Sequence, residues 1–242
     1  MRFRKSGETT LPSPNIWYWP DVYEVENRAQ DVHGAIWAAL REECDWAGRD
    51  VLDVGCGDGF HLPVFAAAAR SVLGVEPYRP LVRRARDRVA GLANVSVRSG
   101  GATRLPVPDA SVDLVHARTA YFFGRGCEPG MAEADRVLRA GGALVIVDLD
   151  VSSTPYGDWM RLDLPDYDPA DVEAFFAEQG FRSRKVLTEW RFADAASLAS
   201  VLRIEFSARV AERAIAELSG VSIPVGYRIH VREKPTGLLL PG

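Results

Sequence analysis

A glycine-rich stretch, VLDVGCGDGF at residues 51–60, holds the residues best suited to bind a ligand. Gly55, Gly57 and Gly59 stand at alternate positions, and glycine allows the backbone to turn tightly and to lie against a ligand. A dinucleotide-binding loop has the spacing G-x-G-x-x-G/A, which would require a small residue where Phe60 stands. We therefore expect this loop to bind something other than a pyrophosphate.

Two carboxylates near the loop narrow the choice of ligand. Asp53 would repel a phosphate, but it can orient the loop and accept hydrogen bonds from an ammonium group. Glu76 ends the apolar run SVLGVE, where a carboxylate can hold ribose hydroxyls by charge-assisted hydrogen bonds. These residue types predict a nucleoside without phosphates that carries a cationic, amino-acid-like end.

The elements that must position these residues alternate along the chain. Apolar runs predict strands at 50–54, 71–76, 95–98, 111–117 and 143–150. Helical patterns separate them, which indicates an α/β fold with a parallel, doubly wound sheet. In such a sheet ligands bind at the carboxyl ends of the strands, where the glycine loop and Glu76 stand.

The two ends of the chain follow other patterns. Residues 1–20 predict an irregular arm, and apolar spacing predicts one helix over 21–44. Further along, the sequence predicts a helix at 133–140 that stops at Gly141-Gly142, a helix at 168–181 capped by Asp168, a strand at 182–190, one or two helices over 194–218, and an antiparallel edge strand at 225–234.

Composition sets outer limits on function. The 242 residues carry a net charge of −4, so the chain lacks the overall positive field typical of nucleic-acid binders, and no nucleic-acid partner is expected. Cys44, Cys56 and Cys127 show no paired spacing, which suits a reducing compartment and argues against a disulfide framework or a zinc site. No apolar run is long enough to span a membrane, so we expect a cytoplasmic protein without a membrane partner. We also expect no bound metal.

Four motifs together resemble the class I S-adenosylmethionine-dependent methyltransferases, within them the small-molecule type 11 group. VLDVGCGDGF is similar to the first motif of that class and VLGVEP to the second. LPVPDASVDLVHA and RVLRAGGALVIVD are similar to the stretches that lead into strands four and five. The resemblance covers about residues 45–150. It implies S-adenosylmethionine as cofactor and a Rossmann-like seven-stranded sheet in the order 3-2-1-4-5-7-6, with an antiparallel last strand and helical lid elements.

The resemblance also implies which residues contact the cofactor. Gly55 and Gly57 would approach its methionine part, and Glu76 would hold the ribose. Gly101 stands where the family often has an aspartate, so the backbone amides of Ala102 and Thr103 become the expected adenine contacts. The full set is Asp53, Gly55, Cys56, Gly57, Glu76, Pro77, Tyr78, Ala102, Thr103, His116, Ala117 and Arg118.

Catalysis and acceptor binding rest on fewer residues. His116 is the candidate general base and His61 a weaker one, although each can equally be a packed or solvated residue. Aromatic side chains from the arm and from the segments after strands four and five would line the acceptor pocket, unless they are ordinary core. They are Trp17, Tyr18, Tyr23, Tyr121, Phe122, Tyr156 and Trp159.

We therefore expect residues 1–44 to form an arm and lid helix, and 45–242 a methyltransferase domain with a helical insertion at about 194–218. The expected reaction is methyl transfer to oxygen, nitrogen or carbon of a small organic acceptor, by a monomer or a homodimer. Three alternatives stay open: a methyltransferase acting on RNA or protein, a cofactor-binding regulatory module without turnover, and a nicotinamide dehydrogenase. Phe60 and Asp53 argue against the last.

Overall fold

A seven-stranded sheet with helices on both faces forms the fold in the computed structural model, which describes residues 13–237. The strands are β1 (Asp50–Val54), β2 (Ser71–Glu76), β3 (Val95–Ser99), β4 (Val112–Arg118), β5 (Leu138–Leu149), β6 (Arg182–Arg191) and β7 (Ser222–Glu233). They lie in the order β3-β2-β1-β4-β5-β7-β6, with β7 antiparallel to both of its neighbours. The predicted sheet order and antiparallel last strand are confirmed.

Helices cover the sheet in two layers. They are α1 (Pro14–Tyr18), α2 (Pro20–Ala29), α3 (Ala35–Glu43), α4 (Leu62–Ala66), α5 (Arg79–Val89), α6 (Glu128–Val137), α7 (Tyr156–Asp163), α8 (Pro169–Glu178), α9 (Ala195–Glu205) and α10 (Ala208–Glu217). One core joins the sheet to α3, α4, α5, α7, α9 and α10, and a second core on the opposite face joins it to α6 and α8. Both faces of β1 are thereby buried, with Val51 in the first core and Leu52 and Val54 in the second.

The N-terminal segment differs from its prediction. Residues 14–18 are helical where an irregular arm was expected, and the single helix predicted over 21–44 is two helices, α2 and α3. The turn between them has left-handed backbone at Asp31 and Gly34, and the Asp31 carboxylate accepts a hydrogen bond from the Ile36 amide. Apolar spacing continues across this turn, which is why periodicity alone missed it. Residues 1–12 of the predicted arm lie outside the described range.

Two boundaries near the middle of the chain were also wrong. The helix expected at 133–140 spans 128–137 as α6, because Leu138 already adopts extended backbone and pairs with Val112 of β4. The segment 225–234 is not an edge strand, since β7 lies between β5 and β6. Its alternating polarity comes from Arg228 and His230, which are buried, with His230 stacked on the Phe176 ring of α8.

The C-terminal helices frame the ends of the strands. Asp168 caps α8 by accepting a hydrogen bond from the Ala170 amide, as predicted. The insertion at 194–218 is the helix pair α9 and α10, and α9 packs against α2. Within residues 13–237, every helix is too short or too polar to cross a bilayer.

Candidate cofactor and acceptor site

The glycine loop after β1 has the backbone that its sequence demands. Gly55, Gly57 and Gly59 all have positive φ angles, of 72°, 57° and 82°, a conformation that side chains disfavour. A Cβ on Gly55 would lie 2.6 Å from the Cβ of Ala120, and a Cβ on Gly59 would lie 3.1 Å from the Cβ of Ala85. The first glycine thus lets the loop approach the segment after β4, and the third lets it approach α5.

Glu76 ends β2 beside this loop and is almost fully buried. Its carboxylate accepts hydrogen bonds from the amides of Gly57 (3.2 Å) and Tyr78 (2.9 Å), which ties the loop to the start of α5. Burial raises the pKa of Glu76, and the two amides oppose that rise. The ribose-binding role that the resemblance implies for Glu76 stays a prediction.

Carboxyl groups dominate the loop's surroundings. Burial raises the pKa of the Cys56 thiol, and the neighbouring Asp53, Glu76 and Asp58 raise it further. Asp58 forms an ion pair with Arg88 at 2.7 Å, whereas among residues 13–237 Glu76 has no ion-pair partner and Asp53 has only the His116 imidazole. Carboxyl groups at this position repel phosphate and suit a sugar with an ammonium-bearing tail. The residues present thus fit S-adenosylmethionine, which supplies an activated methyl group on a sulfonium when bound.

His116 lies on β4 directly beside Asp53 of β1. Its Nδ1 is 2.7 Å from the Asp53 Oδ1, and both side chains are almost fully buried. The rings of Phe65 and Trp37 pack against the imidazole at 4.9 and 6.5 Å between centroids. Asp53 therefore contacts an imidazole, and the burial of His116 favours a role in positioning Asp53 over a role as base.

The adenine side of the site includes a contact from the arm. Trp17 of α1 stacks on Tyr78, with ring centroids 4.3 Å apart and planes 13° apart. Ile16, next to it, places its Cδ1 atom 2.8 Å from where a Cβ on Gly57 would stand. Among the predicted adenine contacts after β3, Ala102 is buried and Thr103 is exposed.

Beyond the end of β4 lies a polar cluster that we call the arm cluster: Asn15, Glu26, Gln30, Arg118, Tyr156 and Glu205. Arg118 Nη2 donates to the Gln30 side chain at 2.6 Å, and Gln30 Nε2 donates to Glu26 at 2.8 Å. Tyr156 donates its hydroxyl proton to Glu205 at 2.8 Å, and Asn15 also donates to Glu205. Arg118 Nη1 is buried and has no hydrogen-bond partner within residues 13–237.

The aromatic residues predicted for the acceptor pocket divide between the two faces of the sheet. Tyr156 and Trp159 are buried in the core under the arm, and Tyr23 lies in α2 beside the arm cluster. Phe122 instead packs in the opposite core, so its assignment to the pocket is corrected, and Tyr121 packs against that same core. The reason is the left-handed backbone at Thr119 and Tyr121, which turns the chain away after β4. Tyr18 is 64% exposed.

The other base candidate, His61, precedes α4 and packs against Trp37 with 5.4 Å between ring centroids. Burial lowers the pKa of His61 well below 6.5, and the positive charge of Arg118 adds to that effect. Both effects disfavour the imidazolium form of His61. Among residues 13–237, no three acidic, histidine or cysteine side chains are grouped as a metal site.

The sheet order, the glycine loop and Glu76 define a class I methyltransferase fold. Residues 52–146 match the protein family described as "Methyltransferase domain". Residues 52–146 are therefore similar to a methyltransferase domain, and the names of the curated relatives indicate S-adenosylmethionine as the cofactor. The recognition made from the four motifs is confirmed.

Known proteins show the same relationship. A Mycolicibacterium smegmatis protein named "Probable S-adenosylmethionine-dependent methyltransferase" is 32% identical over 144 residues, 58% of this chain and 49% of that protein. A tRNA U34 carboxymethyltransferase of Methylococcus capsulatus is 28% identical, covering 76% of this chain and 61% of that protein. The YcgJ protein of Bacillus subtilis has the same fold, with a TM-score of 0.60 and 21% identity over 85% of this chain and all of that one. The chain spans about half the length of the first relative.

Proposed function

We propose that this protein transfers the methyl group of S-adenosylmethionine to a small organic acceptor that binds at the end of β4. The observation that carries the proposal is the enclosure of that end. The arm (α1 and α2), α7 and α9 close over it, and their contacts meet in the arm cluster. An enclosed, partly aromatic site suits a small molecule, and it excludes water from methyl transfer.

The cofactor would lie along the glycine loop. Glu76 would accept hydrogen bonds from the ribose hydroxyls, and Tyr78 would flank the adenine. Arg118 supports this orientation, because its Nη1 is a buried donor without a hydrogen-bond partner in residues 13–237 and can hold the carboxylate of the amino-acid tail. Asp53, positioned by His116, would face the tail's ammonium group.

Calorimetry with S-adenosylhomocysteine, S-adenosylmethionine and NAD tests the cofactor part of the proposal. We expect both sulfur nucleosides to bind and NAD not to bind. Transfer of radiolabelled methyl groups to a panel of small phenols, alcohols and amines then tests the acceptor class. Binding of NAD alone would overturn the proposal.

A methyltransferase acting on RNA is the second candidate, because the tRNA enzyme of Methylococcus capsulatus aligns with 76% of this chain. The two candidates differ in salt dependence, since binding to RNA weakens steeply as salt rises. Total tRNA offered with labelled cofactor at about 50 and 200 mM salt separates them. We expect no tRNA labelling at either concentration.

A further inference from the structure

We propose that Glu26 and Glu205 form a proton-sharing carboxyl pair that latches the arm shut over the cofactor cleft, so that loss of the shared proton frees the arm. The inference deepens the proposed function, on which it rests for the identity of the cleft. The pair joins two elements that are far apart in sequence, α2 of the arm and α9 of the insertion.

The contacts of the pair are those of one protonated and one ionised carboxyl group. Glu205 accepts from the Tyr156 hydroxyl and from the Asn15 amide, which is the pattern of a carboxylate, and Glu26 is its acidic neighbour. Glu26 Oε1 accepts from Gln30, while its Oε2 is buried and meets no donor within residues 13–237. A proton on Oε2, donated to Glu205, satisfies both groups.

The surrounding charges favour that shared proton. Glu26 is 3% exposed, and burial together with the neighbouring Glu205 raises its pKa well above 4.5. Burial also raises the pKa of Glu205. The cation facing the pair is Arg118 of β4, which opposes the rise at Glu26 only weakly. The other titratable groups nearby are the phenols of Tyr23, Tyr156 and Tyr227, whose pKa values are all raised by burial.

The latch bears on the cofactor because α1 is fastened by it. Asn15 bonds to Glu205, and the next two residues of α1 rest on the cofactor side of the site. Ile16 lies over Gly57 and Trp17 stacks on Tyr78. A nucleoside that reaches Gly57 and Tyr78 must therefore move α1, and α1 moves only when the contacts of Glu205 open.

The sign of the pH effect follows from the raised pKa values. A carboxyl group whose pKa is higher in the closed form stabilises that form at low pH, and the stabilisation is lost as pH rises through the raised value. Between the ordinary and the raised pKa, the ratio of open to closed arm grows by up to tenfold for each pH unit, and above the raised pKa it levels off. The arm should therefore loosen from acid toward mildly alkaline pH.

Hydrogen–deuterium exchange of residues 14–29 between pH 5 and 9, corrected for intrinsic exchange, measures the latch without any ligand. We expect wild type to lose protection as pH rises. Glu26→Gln keeps the acceptor for Gln30 and places a permanent amide donor against Glu205, so its protection should not change with pH. Glu205→Gln should be less protected from exchange at every pH. The control is Glu212→Gln on α10, which removes an exposed ion pair with Arg203 of α9 and should match wild type.

Stopped-flow binding of S-adenosylhomocysteine tests the gate. We expect association at pH 8.5 to be slower in Glu26→Gln than in wild type by about tenfold or more. A Glu26→Gln profile that follows wild type in exchange, or equal association rates, would overturn the latch. Failure of S-adenosylhomocysteine to bind either protein would instead overturn the proposed function and leave the exchange result as the measure of the latch.

Discussion

The cofactor edge and the acceptor edge of the sheet are built by different means. At the cofactor edge, ten consecutive residues and one glutamate create the site, mostly through backbone geometry. At the acceptor edge, the arm cluster brings together side chains from α1, α2, β4, α7 and α9, which stand up to 190 positions apart. The first edge is a local structure that any chain with the same loop can form, whereas the second exists only when the whole fold is assembled.

This difference has a thermodynamic side. The glycine loop is held by hydrogen bonds between neighbouring strands and turns, and it needs no unusual charge state. The arm cluster encloses Glu26, Glu205 and Arg118 in a space that penalises each charge, so its stability depends on protons and on hydrogen-bond partners. We expect the hydrogen bonds of the glycine loop to be insensitive to pH, and the arm cluster, with the access to the cleft that it controls, to respond to pH.

The variant with the largest expected effect is Glu76→Ala, which tests whether the cofactor edge binds the ribose through Glu76. Two hydrogen bonds from ribose hydroxyls to a carboxylate contribute about 1.5–3 kcal/mol each, so the Kd for S-adenosylhomocysteine should rise at least about 100-fold. Isothermal titration calorimetry measures the change, and circular dichroism confirms that the variant is folded. An affinity within threefold of wild type would show that Glu76 only braces the loop.

A pair of glycine substitutions tests how closely the cofactor edge is packed. Gly48 and Gly55 both have positive φ, but no atom of residues 13–237 lies within 4 Å of a Cβ on Gly48, whereas the Ala120 Cβ lies 2.6 Å from a Cβ on Gly55. Gly48→Ala should therefore cost only the backbone strain, about 1–2 kcal/mol of unfolding free energy. Gly55→Ala should cost about 1–3 kcal/mol more through the clash.

Urea unfolding of the two variants gives these differences directly. Gly48→Ala serves as the control, because it should leave S-adenosylhomocysteine binding unchanged. Equal losses of stability in the two variants would contradict the close approach between the glycine loop and the segment after β4.

The sequence predicted the fold of the first edge for a physical reason. Glycine spacing, a short buried strand and an acidic residue at the next strand end are local signals, and the sheet order followed from their resemblance to a known class. The helix boundaries around Asp31 and Leu138 were missed, because a turn with a left-handed aspartate and a strand that starts directly after a helix leave the apolar spacing unbroken.

The second edge was predicted only in part. Arg118 and Tyr156 were singled out because they follow strands, but Glu26 and Glu205 sit on helices with ordinary amphipathic patterns, where glutamate is usually solvated. No spacing links residue 26 to residue 205. One weak signal in the sequence was a glutamate on the apolar side of α2, since Glu26 is one helical turn from Val22 and Ala29, which face the core.

Arg118→Met tests whether Arg118 binds the cofactor at the first edge or supports the arm at the second. If Nη1 holds the cofactor carboxylate, the Kd for S-adenosylhomocysteine should rise about tenfold, roughly 1.4 kcal/mol. Affinity for 5′-methylthioadenosine, which lacks the amino-acid tail, should stay unchanged. An equal loss for both nucleosides would mean that Arg118 supports the arm through Gln30 and not the ligand.

The smallest expected effect concerns His116, which joins the two edges through Asp53. An asparagine at this position can still donate to the Asp53 carboxylate, whereas alanine leaves that buried carboxylate without its partner. His116→Asn should therefore keep the affinity for S-adenosylhomocysteine within about twofold of wild type. His116→Ala should weaken the affinity by roughly fivefold, which is less than the free energy of a hydrogen bond to a charged group.

Turnover on an identified acceptor gives the second comparison between the two variants. If His116 is the general base, both variants should lose about 10²–10⁴-fold in rate. If His116 only positions Asp53, the asparagine variant should keep its rate. We expect the rescue, because an imidazole that is 1% exposed and already bonded to Asp53 through Nδ1 is better placed to hold a carboxylate than to take a proton from an acceptor.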